Sequence, residues 1–188
     1  MFSMNTDEKL VVIQWGVVII ASLVAASCDL RTRRIPNALT FPLFLFGLVC
    51  AGFYGGLSGL AEAAGACFIL ALPYIFLFVF ANGGAGDAKL MGAIGAWLGF
   101  KQGIIVLCCV AMAGIILAII KSITQRQVKI VMTSVFVTAY TFMLSLAGHR
   151  MRFTDNLIDS EQSEGMEVPY GVAIFAGVLI GGVIIWIF

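Results

Sequence analysis

LVVIQWGVVIIASLVAASCDLRTRRIPN, residues 10–37, decides the fold. Residues 10–28 carry no charged side chain. At about 1.5 Å of rise per residue, such a run is long enough to cross the ~30 Å hydrocarbon core of a bilayer as a helix. It stops at Asp29 and at the basic residues Arg31, Arg33 and Arg34, and Pro36-Asn37 closes the interruption. Further apolar runs follow at 38–54, 60–80 (with Glu62 near its start), 88–100, 103–120 and 170–188, with most charges gathered near their ends.

The composition agrees with this pattern. Of 188 residues, 61% are hydrophobic and 11% charged, and the net charge is +1. A soluble domain carries about 25% charged residues, so these side chains cannot cover a globular surface. A soluble monomer, a disordered chain and a nucleic-acid binder are all excluded. Continuous apolar runs also contradict a membrane β-barrel, whose strands alternate in polarity. The expectation is an all-α, polytopic membrane helical bundle of about six transmembrane helices, forming a single domain over residues 1–188.

Local signals divide the runs. The stretch Gly55-Gly56-Leu57-Ser58-Gly59 predicts a tight turn, and Pro73 predicts a kink within 60–80. Residues 82–87, rich in glycine, predict a non-helical stretch. Ala88, Gly92, Gly95, Ala96 and Gly99 form a small-residue stripe, and Ala111, Gly114 and Ala118 form another. These predict a closely packed hairpin of 88–100 on 103–120, turning at Phe100-Lys101-Gln102. In residues 130–147, Ser134, Thr138, Thr141 and Ser145 make a polar stripe, flanked by basic residues. This predicts one amphipathic interfacial helix, with a spanning helix as the alternative. Residues 154–168 read as an acidic loop. The first residues, of mixed charge, do not read as a secretory signal. Cys28, Cys50, Cys67, Cys108 and Cys109 read as packing residues, without a CxxC pair.

The basic residues orient the chain. With the N-terminus outside, Arg31, Arg33, Arg34, Lys89, Lys121, Arg126, Lys129, Arg150 and Arg152 fall on the cytoplasmic side, leaving Lys9 and Lys101 outside. The positive-inside bias then puts Asp29 and Asp87 at the cytoplasmic face of the plasma (inner) membrane.

An ionisable group at the end of an apolar run is costly to bury and marks a candidate site. Taken singly, Asp29 reads equally as an interfacial charge beside Arg31, and Asp87 as a helix cap. Taken together they read differently. Two carboxylates in a pocket of low dielectric share one proton. One can then activate a water while the other protonates a leaving amine, which is peptide hydrolysis. His149 is the single histidine, so a Ser-His triad or a histidine-rich metal site has no material. Gly84 and Gly86 let the backbone turn sharply and let an extended strand approach.

Gly84-Ala85-Gly86-Asp87-Ala88-Lys89-Leu90 resembles the GxGD motif of the type IV prepilin peptidases, which reads roughly GxGDxKL and runs into a glycine-rich helix. Asp29, the basic stretch and Pro36-Asn37 resemble the stretch around that family's first aspartate. Pro169-Tyr170-Gly171-Val172-Ala173 resembles its closing segment. The resemblance implies a membrane aspartic endopeptidase that removes the basic leader of prepilin-like precursors on the cytoplasmic side, with Asp29 and Asp87 as the catalytic pair. It implies no metal and no organic cofactor. The larger bacterial members carry a cytoplasmic segment with paired CxxC motifs and also methylate the new terminus. Here Asn37 runs directly into the apolar run at Ala38, as in the short peptidases of tight-adherence (Flp) pilus systems or archaeal preflagellin systems, so methylation is not expected.

Gly84, Gly86, Lys89, Arg31, Pro36 and Asn37 are the candidates for contacting or positioning substrate. Lys89, two residues beyond Asp87 on a helix, points away from the carboxylate. Lys89, Arg31, Arg33 and Arg34 also serve as orientation signals, and Asn37 as a helix cap. The expected partners are a prepilin-like precursor and the lipid bilayer, with no nucleic acid; homo-oligomer assembly is left open. The competing reading is a proton-coupled transporter or channel subunit. Such a relay needs polar groups across the bilayer, whereas both acids here lie at one face.

Overall fold

The computed structural model describes residues 6–81, 84–124 and 170–187. Among these the chain is all-helical, with α1 over Thr6–Thr32, α2 over Asn37–Ala81, α3 over Ala85–Thr124 and α4 over Tyr170–Ile187. All four are long and apolar enough to cross a membrane. Ile13, Ile20, Phe53, Leu57, Ile116 and Trp186 are exposed on them, the surface expected of a multi-pass membrane protein. The expected interfacial helix at 130–147 and the acidic loop at 154–168 lie outside the described residues.

Six helices were expected, and the described residues hold four. The runs 38–54 and 60–80 lie within α2, and the runs 88–100 and 103–120 within α3. Each of these helices contains one glycine in the left-handed region, Gly56 at φ 61° and Gly99 at φ 69°, which other L-residues rarely adopt. At Gly56 the helix folds back on itself. A Cβ on Gly59 would sit 2.5 Å from the Ala51 carbonyl oxygen, although residues 51 and 59 of a straight helix are about 12 Å apart. The predicted turn at 55–59 thus contracts to a single residue. The predicted turn at 100–102 moves to Gly99, because positive φ is available there and not at Phe100 or Lys101. Pro73 lies inside α2. Helix α3 begins at Ala85, so Gly86 and Asp87, expected to be non-helical, form its first turn.

Glycines set how closely the helices approach. A Cβ on Gly95 would lie 2.7 Å from the Ala66 carbonyl oxygen, and one on Gly92 would lie 3.1 Å from the Cys67 sulfur. The stripe on α3 therefore packs against the second half of α2, rather than against its own continuation as expected. Gly99 meets Glu62 and Gly103 meets Leu70, so the contacts along α2 reverse direction as the chain passes Gly99. Gly177 and Gly181 of α4 pack on Val110 and Val106, and Gly171 and Gly182 pack on Ala26 and Trp15. Helix α4 is thus antiparallel to α1 and to the second half of α3. Trp15, Val18, Leu70, Leu90, Ile94, Val106 and Val178 form the core between them. Two buried or half-buried indoles are satisfied: Trp15 donates to Gln102 Oε1 at 2.9 Å, and Trp97 to the Leu43 carbonyl at 2.7 Å.

Met1–Gly114 and Pro169–Phe188 form one compact unit, and Ile115–Val168 another. Within the second, residues 115–124 are helical.

Gly95→Ala should destabilise the protein by about 1–3 kcal/mol, because the new methyl meets backbone that cannot turn aside. Gly16→Ala, with nothing within 4 Å of its Cβ position, should be neutral or slightly stabilising. Thermal unfolding in detergent checks both. Equal midpoints for the two variants would contradict the packing described.

Candidate active site

Asp29 lies in the last turn of α1 and Asp87 in the first turn of α3, and each is 8% exposed. The end of α1 is fixed by local hydrogen bonds. Thr32 Oγ1 donates to the Cys28 carbonyl at 2.9 Å, and Arg33 N to the Asp29 carbonyl at 2.9 Å. Arg33 adopts φ 51°, the left-handed residue that closes many helices. The chain then passes through Ile35 to Pro36, whose carbonyl accepts from Leu39 N and Thr40 N at 3.0 and 3.4 Å to open α2.

The GxGD turn packs on this connection. Asp87 N donates to the Gly84 carbonyl at 3.2 Å, and the carboxylate folds back over Gly84, where a Cβ would lie 2.8 Å from Asp87 Oδ2. A Cβ on Gly86 would lie 2.9 Å from Ile35 Cβ. Space requires glycine at 86, while at 84 a methyl would push the Asp87 carboxylate from its place. Gly84 makes room for the carboxylate, and Gly86 lets the α1–α2 connection lie against the turn. Asp29 and Asp87 are thereby brought within electrostatic reach of each other.

Two phenols join them. Tyr74 of α2 and Tyr170 of α4 both lie within electrostatic reach of Asp87. Nothing in the periodicity of run 60–80 separates Tyr74 from its aromatic neighbours, and Tyr170 stands out in the sequence only as part of Pro169-Tyr170-Gly171. The backbone of the next residue also enters the site: Gly171 N donates to Asp29 Oδ2 at 2.8 Å. A main-chain donor leaves no mark in residue type beyond the glycine itself.

The other candidates lie around this centre. Lys89 Nζ donates to Asn37 Oδ1 at 2.8 Å. This bond ties the start of α2 to α3 through the Asn37 side chain. Arg31 is exposed in the last turn of α1. An apolar cavity of about 620 Å³ opens between the halves of α2 and the start of α3, lined by Thr40, Phe44, Ile75, Phe78, Ala88 and Lys89. Ala88, one of its lining residues, follows Asp87 directly in the sequence. Among the described residues, no three His, Cys, Asp or Glu side chains converge to hold a metal. The arrangement offers paired carboxylates, flanking phenols and an apolar cleft, the equipment for acid–base chemistry on a partly apolar substrate.

Comparison with known proteins places this geometry. Residues 16–119, which include both aspartates, match the model of the Type IV leader peptidase family. The chain is 31% identical over 114 residues to a prepilin leader peptidase/N-methyltransferase of Pectobacterium carotovorum subsp. carotovorum, covering 56% of this chain and 41% of that protein. It is 34% identical over 101 residues to the protein of the same name in Burkholderia pseudomallei (strain 1026b), covering 50% and 32%. Against that of Escherichia coli (strain K12), it is 33% identical over 105 residues, covering 53% and 47%. The chain thus spans between a third and a half of the length of these relatives. No solved structure matches it. With its matched stretch running over more than half the sequence, the chain belongs to the Type IV leader peptidase family.

Proposed function

We propose that the chain is a membrane aspartic endopeptidase that removes the leader of type IV pilin-like precursors at the cytoplasmic face. The observation that carries this reading is the pair Asp29 and Asp87, both buried, from different helices, within electrostatic reach of each other. The names of the relatives support the substrate class.

The reaction follows from the pair. The ionised carboxylate takes a proton from a water, and the water oxygen bonds to the scissile carbonyl carbon. The other carboxyl gives its proton to the amide nitrogen as the C–N bond breaks. A leader carboxyl group and a new N-terminal amine result, and the proton taken from water restores the shared proton. The apolar cavity takes the first turns of the precursor's apolar helix. The cleavage junction is unwound beside Gly84 and Gly86, because a helical peptide hides its carbonyls from an attacking water. This chemistry calls on no metal or organic cofactor.

The membrane arrangement supports the reading. The apolar part of α2, Asn37–Val79, has 43 residues and would be about 65 Å long if straight. That is about twice the hydrocarbon thickness. Folding at Gly56 suits two crossings, and folding of α3 at Gly99 suits two more. With α1 and α4 this makes six passes. The two crossings of α2 separate Asp29 from Asp87 and return the chain to the same face.

Asp29→Asn and Asp87→Asn each keep the shape of the side chain but cannot exchange the proton. Each should lower cleavage of a co-expressed, tagged prepilin at least about 10²-fold while the protein still inserts. Full processing by either variant removes that residue from the mechanism.

Topology is read separately in a background without the five native cysteines. Ser27→Cys and Asn82→Cys should both resist an impermeant thiol reagent in intact cells, while Leu57→Cys reacts. Reaction at 82 but not at 27 would put the carboxylates on opposite faces.

A further inference from the structure

Helix α4 begins against the end of α1, where Gly171 meets Asp29 and Ala26. Gly171 is its second residue, so its N–H is one of the four at a helix start that lack an intrahelical acceptor. It is buried, and an unpaired buried N–H is costly. Its acceptor is Asp29 Oδ2 at 2.8 Å. The match is close enough to dictate the residue. A Cβ at position 171 would lie 2.8 Å from Asp29 Cβ, 3.0 Å from Asp29 Oδ2 and 3.2 Å from Ala26 Cα. Only glycine brings its N–H to this carboxylate without displacing it. Position 171 lies outside the stretch matched by the family model, which ends at residue 119.

We propose that the Gly171 N–H is a positioning donor for Asp29, fixing Oδ2 and leaving Oδ1 as the oxygen that meets the water. The inference rests on the dyad reading above. A carboxylate on a helix rotates about its χ2 bond, and a water placed by a rotating carboxylate is placed poorly. An N–H only donates, so it occupies one oxygen and stops the rotation. The aspartate sits near the C-terminal end of α1, where the helix dipole repels negative charge, and the N-terminus of α4 supplies the opposite pole. Among the described residues, Asp87 on α3 lies within electrostatic reach of Asp29, Arg31, Arg33 and Arg34 follow it in sequence, and the neutral phenols of Tyr74 and Tyr170 lie within reach of Asp87. Gly171 N reaches Asp29 Oδ2 from another helix.

The test replaces the amide between Tyr170 and Gly171 by an ester, with glycolic acid at position 171 in the full chain, which exchanges the N–H for an oxygen and adds no bulk. Gly171→Ala, which adds the clashing methyl, accompanies it. The purified variants are assayed on a prepilin in detergent, with thermal unfolding measured alongside. The ester chain should lose about ten- to a hundredfold in kcat, the range of one hydrogen bond to a charged group, with KM unchanged. Gly171→Ala should lose at least as much. An ester chain with wild-type kcat overturns the proposal, whether or not Gly171→Ala folds. So does a loss of activity that appears in KM together with a lowered unfolding temperature, which would make the contact a cap for α4 alone. Asp29→Asn, run in parallel, separates the two claims. If it cleaves normally, the dyad reading fails. If it is inactive while the ester chain is normal, the positioning role alone fails.

Discussion

A carboxylate near the C-terminal end of an apolar helix is in an unfavourable place. It lies against the negative pole of the helix dipole, at the edge of a medium that does not solvate charge. Asp29 is held there, 8% exposed, by a contact from a helix that begins at Tyr170. Much of the arrangement follows from satisfying that group. Helix α4 must run antiparallel to α1 with its start at the end of α1. Residue 171 must be glycine for the two backbones to approach, and Gly182 further along lets α4 stay close to Trp15. Asp87 has the easier position, in the first turn of α3, where the dipole favours a negative charge.

Close approach at glycine is the second recurring device. In a membrane, helices gain little from hiding apolar side chains from one another, since lipid is equally apolar, so contact area and backbone proximity decide association. Gly92 and Gly95 bring α3 onto α2, and Gly177 and Gly181 bring α4 onto α3. Gly86 does the same at the site, where it admits Ile35 of the α1–α2 connection. The glycines that pack helices and the glycines that shape the GxGD turn therefore serve one purpose, which is to hold two aspartates from distant parts of the chain together.

Much of this was legible in the sequence because apolar runs and charge placement are one-dimensional signals. The runs gave the helical class, and the position of Asp29 and Asp87 at run ends marked them as a pair. What the sequence hid depends on contacts between distant segments or on backbone atoms. Gly56 and Gly99 are the residues that break α2 and α3, but several glycines sit near each, and only the left-handed φ distinguishes them. Asn37 has the character of a cap, and its link to Lys89 across α3 needs the tertiary fold. Tyr74 looks like any aromatic in an apolar run until α2 folds back and brings it to Asp87. The small-residue stripe on α3 marks a packing surface in the sequence, but a stripe does not name its partner, which is the second half of α2.

The central claim is that the end of α1 and the start of α3 meet. It is tested most directly by crosslinking Asp29→Cys with Asp87→Cys, in a chain cleared of Cys28, Cys50, Cys67, Cys108 and Cys109, using a short bifunctional thiol reagent in native membranes. A protease site engineered into the polar stretch between Gly55 and Gly59 separates the two positions after the reaction. The account predicts that the cut halves stay joined for this pair and fall apart for Asp29→Cys with Ile94→Cys, whose second position is buried elsewhere in the core. Halves that separate for the 29–87 pair, in protein that is correctly inserted, would contradict it.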